Sequence, residues 1–373
     1  MAHHPTPLKF LFPGWYAIVM GLSGLSLAWH RASPLMGDAA GTASLAIGVL
    51  AAAVFVVLAI ATVLRGLRHA DAWREDRMHP VRHTFIATLP IGVLLLATVA
   101  VAHGASGPLV AAFWWAGSLS QLFTTTWVLS RWWRGNQAGG FQWAGITPAL
   151  LVPIVGNVLA PLAGVPLGYT EWAAAQFGIG LLFWPVVLVL VASRIMTQGM
   201  FAERLLPATF VFIAPPAVVG LALLQLGAAQ LAAWSMWGIA LFSFLWVATL
   251  AKRIAKLEFG LPHWAMSFPL AALAALTLRL AQPGSVLATL GPIMLALASI
   301  VIFGLVLGTL RGLRDGTLLA PEPVAAIHPV AAGSSSGPAA GPAGGPAAAA
   351  APAPKTGVAA ASSTPSTGAP AGS

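Results

Sequence analysis

The sequence contains no cysteine among its 373 residues, and only 7% of them are charged. The absence of cysteine excludes disulfide bonds, thiolate nucleophiles and cysteine-ligated metal sites. Soluble domains carry about 25% charged residues. A chain that is 58% hydrophobic and so poor in charge cannot hide its apolar side chains in one aqueous core, and the composition therefore predicts a membrane protein.

Ten apolar runs are long enough to form helices that cross a bilayer, which needs about 20 mostly apolar residues. They cover residues 12–30, 43–64, 84–103, 109–130, 145–165, 172–193, 206–226, 229–250, 263–282 and 288–310. We number these runs as spans 1 to 10. The short links between spans 3 and 4, 5 and 6, 7 and 8, and 9 and 10 predict helical hairpins.

The basic residues lie between the apolar runs and indicate the topology. If the N-terminus is cytoplasmic, all 18 Lys and Arg residues except Arg31 and Arg279 fall on the cytoplasmic side, as the positive-inside rule describes. We therefore predict a multi-pass protein of the bacterial inner membrane with both termini in the cytoplasm. The net charge of +9 is interpreted as a topology signal, and no nucleic-acid partner is predicted.

The C-terminal part has a different composition, rich in Ala, Pro, Gly and Ser, as in GSSSGPAAGPAGG. Such a segment buries too little apolar surface to offset the entropy lost on ordering, so we predict a disordered cytoplasmic tail. The predicted organisation is a cytoplasmic N-terminus over 1–11, a ten-helix domain over 12–312 and the tail over 313–373.

Proline recurs in or at the start of every odd-numbered span, at Pro13, Pro90, Pro148, Pro153, Pro215, Pro216 and Pro269. A proline within a helix leaves backbone groups unpaired, and lipid does not tolerate unpaired backbone groups. We therefore predict an all-α membrane protein of five helical hairpins around a central pore. Its odd-numbered helices are kinked and inner, and its even-numbered helices are outer. The alternative is that the prolines only improve packing.

The middle of each odd-numbered span lacks Asp, Glu and His. A conduit without fixed negative charge and with a basic cytoplasmic mouth favours anions. Phe268 directly precedes Pro269, where a bend projects its ring into the pore as a plug or packs it against a neighbouring helix. Arg279, near the outer end of span 9, either extends to the membrane interface or draws anions into an outer vestibule.

Four stretches resemble a known family of membrane proteins: FPGWYAIVMGLSGLSLAW in span 1, HPVRHTFIATLP at the start of span 3, APPA in span 7 and HWAMSFPLA in span 9. The family comprises the tellurite-resistance protein TehA, the plant slow-type anion channels and related C4-dicarboxylate and sulfite transporters, also called voltage-dependent anion channels. The resemblance implies ten helices around a pore, usually in a homotrimer. It also implies that Phe268 is the gate and that Tyr16 is a further pore-lining aromatic residue. We also predict Phe85 as a residue that lines the pore or lies at a helix break.

The predicted function is a passive channel for small inorganic or organic anions, gated by Phe268 at the Pro269 kink. The alternative is a coupled transporter or exporter of C4-dicarboxylate, sulfite or tellurite-type oxyanions. No enzymatic activity and no cofactor are predicted, because the sequence has no metal-ligand spacing, no paired carboxylates within the spans and no glycine-rich phosphate loop. Pro90, Pro153 and Pro215 complete the predicted site as helix breaks.

Overall fold

The computed structural model describes residues 7–135, 137, 140 and 143–320, and helices are the only regular secondary structure within these ranges. The predicted all-α class is thus confirmed. The α-helices are α1 Ala17–Met36, α2 Asp38–Arg68, α3 Ala70–Met78, α4 Thr88–Ala102, α5 Pro108–Leu129, α6 Val152–Val158, α7 Ala160–Gly164, α8 Thr170–Gln198, α9 Ala214–Gln225, α10 Gln230–Ala248, α11 Ala251–Ile254, α12 Ser267–Leu280 and α13 Val286–Arg314. Segments of 3-10 helix cover Pro7–Phe10, Pro13–Tyr16, Arg82–Ala87, Ser130–Arg134, Trp143–Gly145, Pro148–Leu151, Glu203–Ile213 and Leu261–Met266.

Helical segments occur at each of the ten predicted spans, with bounds that differ by several residues. Within the described ranges, seven segments are long and apolar enough to cross a membrane: Asp38–Arg68, Arg82–Ala102, Thr170–Gln198, Glu203–Gln225, Gln230–Ala248, Leu261–Leu280 and Val286–Arg314. Pro148–Gly164 is apolar but shorter. The protein is therefore a multi-pass membrane protein, whereas ten crossings remain a prediction.

Burial divides the seven segments into two groups. Arg82–Ala102, Glu203–Gln225 and Leu261–Leu280 have between 61% and 83% of their most apolar stretch buried within the protein. The other four, which are α2, α8, α10 and α13, have only 17% to 28% buried. Spans 3, 7 and 9 thus lie inside and spans 2, 6, 8 and 10 outside, because only the second group leaves its apolar side chains free to contact lipid.

We use the name inner segments for α1, Arg82–Ala102, Pro148–Gly164, Glu203–Gln225 and Leu261–Leu280, and the name outer helices for α2, α5, α8, α10 and α13. Four inner segments begin as 3-10 helix and continue as α-helix. The change from 3-10 helix to α-helix occurs next to Pro90, Pro153, Pro215 and Pro269, each of which is the second or third residue of its α-helix.

The position of these prolines explains why the helices accept them. The first four N–H groups of an α-helix have no partner within the helix, so a proline in the first turn sacrifices no α-helical hydrogen bond. The break predicted from the sequence therefore takes the form of a change in helix type. Proline does occur within outer helices, as Pro185 in α8 and Pro292 in α13.

Helices α1 and α12 pack against each other through small residues. A Cβ atom added to Gly21 would lie 2.3 Å from Ser267 Oγ, and one added to Gly24 would lie 3.2 Å from Ala271 Cβ. The two backbones therefore approach as closely as glycine permits. Because residue numbers rise together along the contact, α1 and α12 run in the same direction.

The chain divides into one compact unit, Met1–Pro329, and a second unit, Val330–Ser373. The whole second unit lies outside the described residues, as do residues 1–6 and 321–329. The predicted tail and the predicted cytoplasmic N-terminus therefore remain predictions from the sequence.

Candidate functional site

The inner segments surround a cavity with an entirely uncharged lining, and all five of them contribute to it. The lining residues are Gly24 and Leu27 of α1, Leu95 of α4, Leu159 and Leu162 next to and within α7, Val218 and Leu221 of α9, and Phe268, Ala272 and Ala275 of α12. The cavity therefore lies where five segments that are far apart in the sequence converge. No member of the lining can form an ion pair.

Phe268 lies on the wall of this cavity, in the first turn of α12 and directly before Pro269. Its side chain is 5% exposed. Gly24 faces the ring from α1, and a Cβ atom at that position would lie 3.0 Å from Phe268 Cδ2. The absence of a side chain at Gly24 thus leaves the space that the phenyl ring needs.

The cavity is too small for a hydrated ion. Its volume is about 20 Å³, and one water molecule needs about 10–15 Å³ measured in the same way. The cavity beside Phe268 therefore has room for little more than a single water molecule.

The two other predicted aromatic residues lie away from the cavity. Tyr16 is fully buried, its hydroxyl is 3.1 Å from Thr62 Oγ1, and its ring packs edge-on against Phe55. Both partners belong to outer helix α2. Phe85 packs edge-on against Phe12 with ring centroids 6.0 Å apart, in the 3-10 segment that precedes α4. Of the predicted site residues, Phe268 is the one that lines the cavity.

The prolines of the site act through the backbone, and the carbonyl of Pro153 shows how the broken span 5 is held. It accepts hydrogen bonds from Gln121 Nε2 at 2.8 Å, Thr125 Oγ1 at 2.7 Å and Asn157 Nδ2 at 3.0 Å. Gln176 Nε2 of α8 donates to Asn157 Oδ1 at 3.2 Å. Two outer helices thus hold Pro148–Gly164 in place, a role that the sequence analysis missed because no spacing relates these polar residues.

A buried ion pair lies at the C-terminal end of α2. Arg65 Nη2 is 2.8 Å from Asp76 Oδ2, and both side chains are almost completely buried. Arg82 Nη1 lies 3.7 Å from Asp76 Oδ1. Burial raises the pKa of the Asp76 carboxyl, whereas Arg65 and Arg82 act to lower it. Asp76 lies between the predicted spans 2 and 3, and the amphipathic pattern of α3 was the available signal in the sequence that one of its acids is buried.

The opposite end of the inner segments carries further basic groups. The rings of His30 and His103 meet edge-on with centroids 5.1 Å apart, and His103 Nε2 lies 3.0 Å from Ser44 Oγ. Arg279, in the last turn of α12, is exposed. Within the described part of the chain, no group of three or more His, Asp or Glu residues is placed to hold a metal ion.

Comparison with known families agrees with this geometry. The model of the voltage-dependent anion channel family matches residues 11–310, which include every inner segment and every outer helix except the last four residues of α13. This chain belongs to the voltage-dependent anion channel family.

Several known proteins are similar to this chain. A tellurite resistance protein TehA homolog from Haemophilus influenzae is 27% identical over 278 residues, which cover 72% of this chain and 80% of that protein. The S-type anion channel SLAH2 of Arabidopsis thaliana is 27% identical over 225 residues, which cover 60% of this chain and 43% of the channel. The S-type anion channel SLAH3 of the same plant is 26% identical over 262 residues, 69% of this chain and 41% of the channel.

Proposed function

We propose that this protein is a passive channel for small anions, with its pathway along the axis of the five inner segments. The observation that supports this most strongly is the shared cavity with Phe268 on its wall. Pathways through membrane proteins run where several segments converge, because backbone that departs from the α-helix is tolerated next to protein or a water-filled cavity. The helix breaks at Pro90, Pro153, Pro215 and Pro269 fit such an axis.

The charge distribution favours anions over cations. The ten cavity-lining residues carry no carboxylate, and cation pathways are usually marked by rings of Asp or Glu. The cytoplasmic ends carry most of the Lys and Arg residues, which raise the local concentration of anions. The relatives named as S-type anion channels support the same substrate class.

We propose that the Phe268 ring is the gate. With the ring in its present position the space left is about 20 Å³, and an apolar constriction of that kind blocks ions both by its size and by excluding water. Rotation of the ring away from the axis would widen the path without any change in the helices. Gly24 and Ala272, which line the same cavity, have little or no side chain to obstruct that rotation.

The test is to compare anion currents of the wild type and Phe268→Ala in planar bilayers, with chloride, nitrate and a dicarboxylate in turn. We expect Phe268→Ala to raise the current by roughly tenfold or more, because lowering the barrier by about 1.4 kcal/mol already gives tenfold in rate. Reversal potentials should follow the anion gradient, as they do in a passive channel.

Phe212→Ala is the matched control. Phe212 is also buried, but its ring stacks on Trp246 of outer helix α10, with centroids 5.8 Å apart. Its loss should leave the current near the wild-type level. If Phe268→Ala and the wild type conduct equally well, the gate lies elsewhere. If neither the wild type nor Phe268→Ala conducts any anion, the channel proposal fails.

The second candidate is a coupled exporter of oxyanions, which is favoured by the name of the tellurite resistance homolog. Coupling to protons usually uses an Asp, Glu or His within the membrane, and the cavity lining has none of these. Uphill accumulation of sulfite or a C4-dicarboxylate in vesicles, driven by a pH gradient, would establish this function in place of the channel.

We further propose a homotrimer in the bacterial inner membrane, in which each subunit has its own pathway. The proposal rests on the family resemblance and on the apolar outer helices, which leave a large surface free for lipid or for neighbouring subunits. The mass of the protein in detergent, measured by light scattering with correction for bound detergent, distinguishes one subunit from three.

A further inference from the structure

Two arginines continue the cavity-lining faces of α1 and α12 towards the outer side. On α12, Phe268, Ala272 and Ala275 line the cavity, and a further step of four residues leads to Arg279. On α1, Gly24 and Leu27 line it, and a step of four leads to Arg31. Residues three and four apart lie on one face of a helix, so both arginines lie above the cavity.

The packing of α1 against α12 brings these arginines to the same level. Gly24 contacts Ala271, and the two helices run in the same direction. At 1.5 Å per residue, Arg31 lies about 10 Å beyond Gly24, and Arg279 about 12 Å beyond Ala271. The charge of Arg279 is close enough to act on Arg31.

Two like charges that lie close together at the end of a pathway repel each other, and a nearby negative charge would compensate that repulsion. Neither Arg31 nor Arg279 forms an ion pair with a carboxylate among the residues that the structure describes. Arg279 is exposed and Arg31 is partly exposed. Their mutual repulsion raises the free energy of the empty arrangement, and an anion between them would lower it.

We propose that Arg31 and Arg279 form an anion-binding site at the outer mouth, selective for oxyanions over halides. This proposal rests on the proposed channel function and adds a second site to it, about 16 Å outward from Phe268 along α12. Guanidinium groups present paired N–H donors that match two oxygen atoms of one anion. Nitrate, sulfite and carboxylates offer such a pair of oxygen atoms, whereas chloride offers a single sphere.

The experiment uses the full chain with Phe268→Ala as the conducting background, at pH 8, where imidazoles of ordinary pKa, about 6.5, are uncharged. Currents are recorded against the concentration of nitrate, and then of chloride, on the outer side. We expect Arg31→Gln with Arg279→Gln to raise the half-saturating nitrate concentration roughly fivefold, as expected for the loss of exposed charge pairs. The same titration from the cytoplasmic side should not change.

A second variant separates the effect of the positive charges from the effect of the paired N–H donors of the two arginines. Arg31→Lys with Arg279→Lys keeps both charges but removes the paired donors, so the preference for nitrate over chloride should fall while chloride entry persists. An unchanged outer titration in the glutamine variant, in channels that still conduct, overturns the outer site and leaves the channel proposal intact. The absence of current in the Phe268→Ala background itself contradicts the channel proposal instead.

Because the chain contains no cysteine, an introduced cysteine can test directly which side of the membrane residue 279 faces and whether its charge matters. Arg279→Cys in the same background introduces a single thiol. A cationic, membrane-impermeant thiosulfonate added outside should restore low-concentration nitrate current, whereas an anionic reagent should not. Arg68→Cys, at an exposed position of α2 on the predicted cytoplasmic side, is the control. Equal effects of both reagents on Arg279→Cys would mean that charge at this position does not matter.

Discussion

Single residues in this protein have roles that depend on which partners the fold gives them. Asp71 and Asp76 both lie on α3, yet Asp71 forms an exposed pair with Lys9 at 2.9 Å, whereas Asp76 is buried against Arg65. An exposed pair contributes little to stability because water screens it. A buried pair costs much free energy when one partner is removed, because the other charge is left uncompensated.

We therefore expect Asp76→Asn to destabilise the protein by about 3–5 kcal/mol, since it leaves the Arg65 guanidinium buried without a counter-charge. The measurement is the apparent thermal unfolding midpoint in detergent. Asp71→Asn is the control and should shift the midpoint little. Equal midpoints for Asp76→Asn and the wild type would show that backbone acceptors such as the Lys9 carbonyl, 3.0 Å from Arg65 Nε, suffice to hold the Arg65 guanidinium.

The proposed role of Phe268 depends on segments other than its own helix. Its position before Pro269 is visible in the sequence, but its place on the cavity wall follows from the four other segments that complete the wall. The proposed gate therefore depends on Gly24 of α1 as much as on α12.

At the scale of elements, the inner segments are joined to one another by close contacts and to the outer helices by polar contacts. Gly21 and Gly24 allow α1 to approach α12. The Pro153 carbonyl, with its three side-chain donors, fixes Pro148–Gly164 against α5. In a membrane, close packing of small residues and interhelical hydrogen bonds are the main sources of helix association.

Gly21→Ala should therefore weaken the contact between α1 and α12. The new Cβ atom would lie 2.3 Å from Ser267 Oγ and 2.6 Å from Ser267 Cβ, and crowding of this kind costs about 1–3 kcal/mol. We expect a lower unfolding midpoint in detergent.

Gly238→Ala in α10 provides the comparison for this substitution. A Cβ atom at Gly238 meets nothing within 4 Å, so alanine should leave stability unchanged or raise it through better helix propensity. A midpoint for Gly21→Ala that matches that of Gly238→Ala would mean that α1 and α12 can move apart without cost.

At the scale of the whole molecule, the described part of the chain is a layered bundle with buried inner segments and lipid-accessible outer helices. The orientation of this bundle across the membrane is predicted from its basic residues. Because the chain lacks cysteine, single cysteines report that orientation without background.

We expect Ser106→Cys and Gln282→Cys to react with an impermeant maleimide added to intact spheroplasts. Glu258→Cys and Arg68→Cys should react only after permeabilisation. All four positions are exposed. Six predicted spans separate Ser106 from Gln282, so both face the same side if the count is right. Labelling of Ser106→Cys and Gln282→Cys from opposite sides would contradict the ten-span topology. If all four positions react from the side opposite to the expected one, the orientation of the protein in the membrane is the reverse of the prediction.

The sequence by itself determined the membrane class, the helical fold and the alternation of proline-rich and proline-poor spans. These follow from composition and local pattern, because lipid imposes the same length and polarity on every crossing. The same local rules suggested Phe268, since the Phe-Pro pair at a helix start is contiguous in the chain.

Only the tertiary structure decided which residues share the cavity, that Tyr16 faces α2, and that Asp76 is buried with Arg65. Each of these depends on contacts between residues distant in sequence, such as Gly24 with Phe268. Such contacts are fixed by how helices pack, and apolar helices of nearly uniform composition do not encode in their local pattern which neighbour each face will meet.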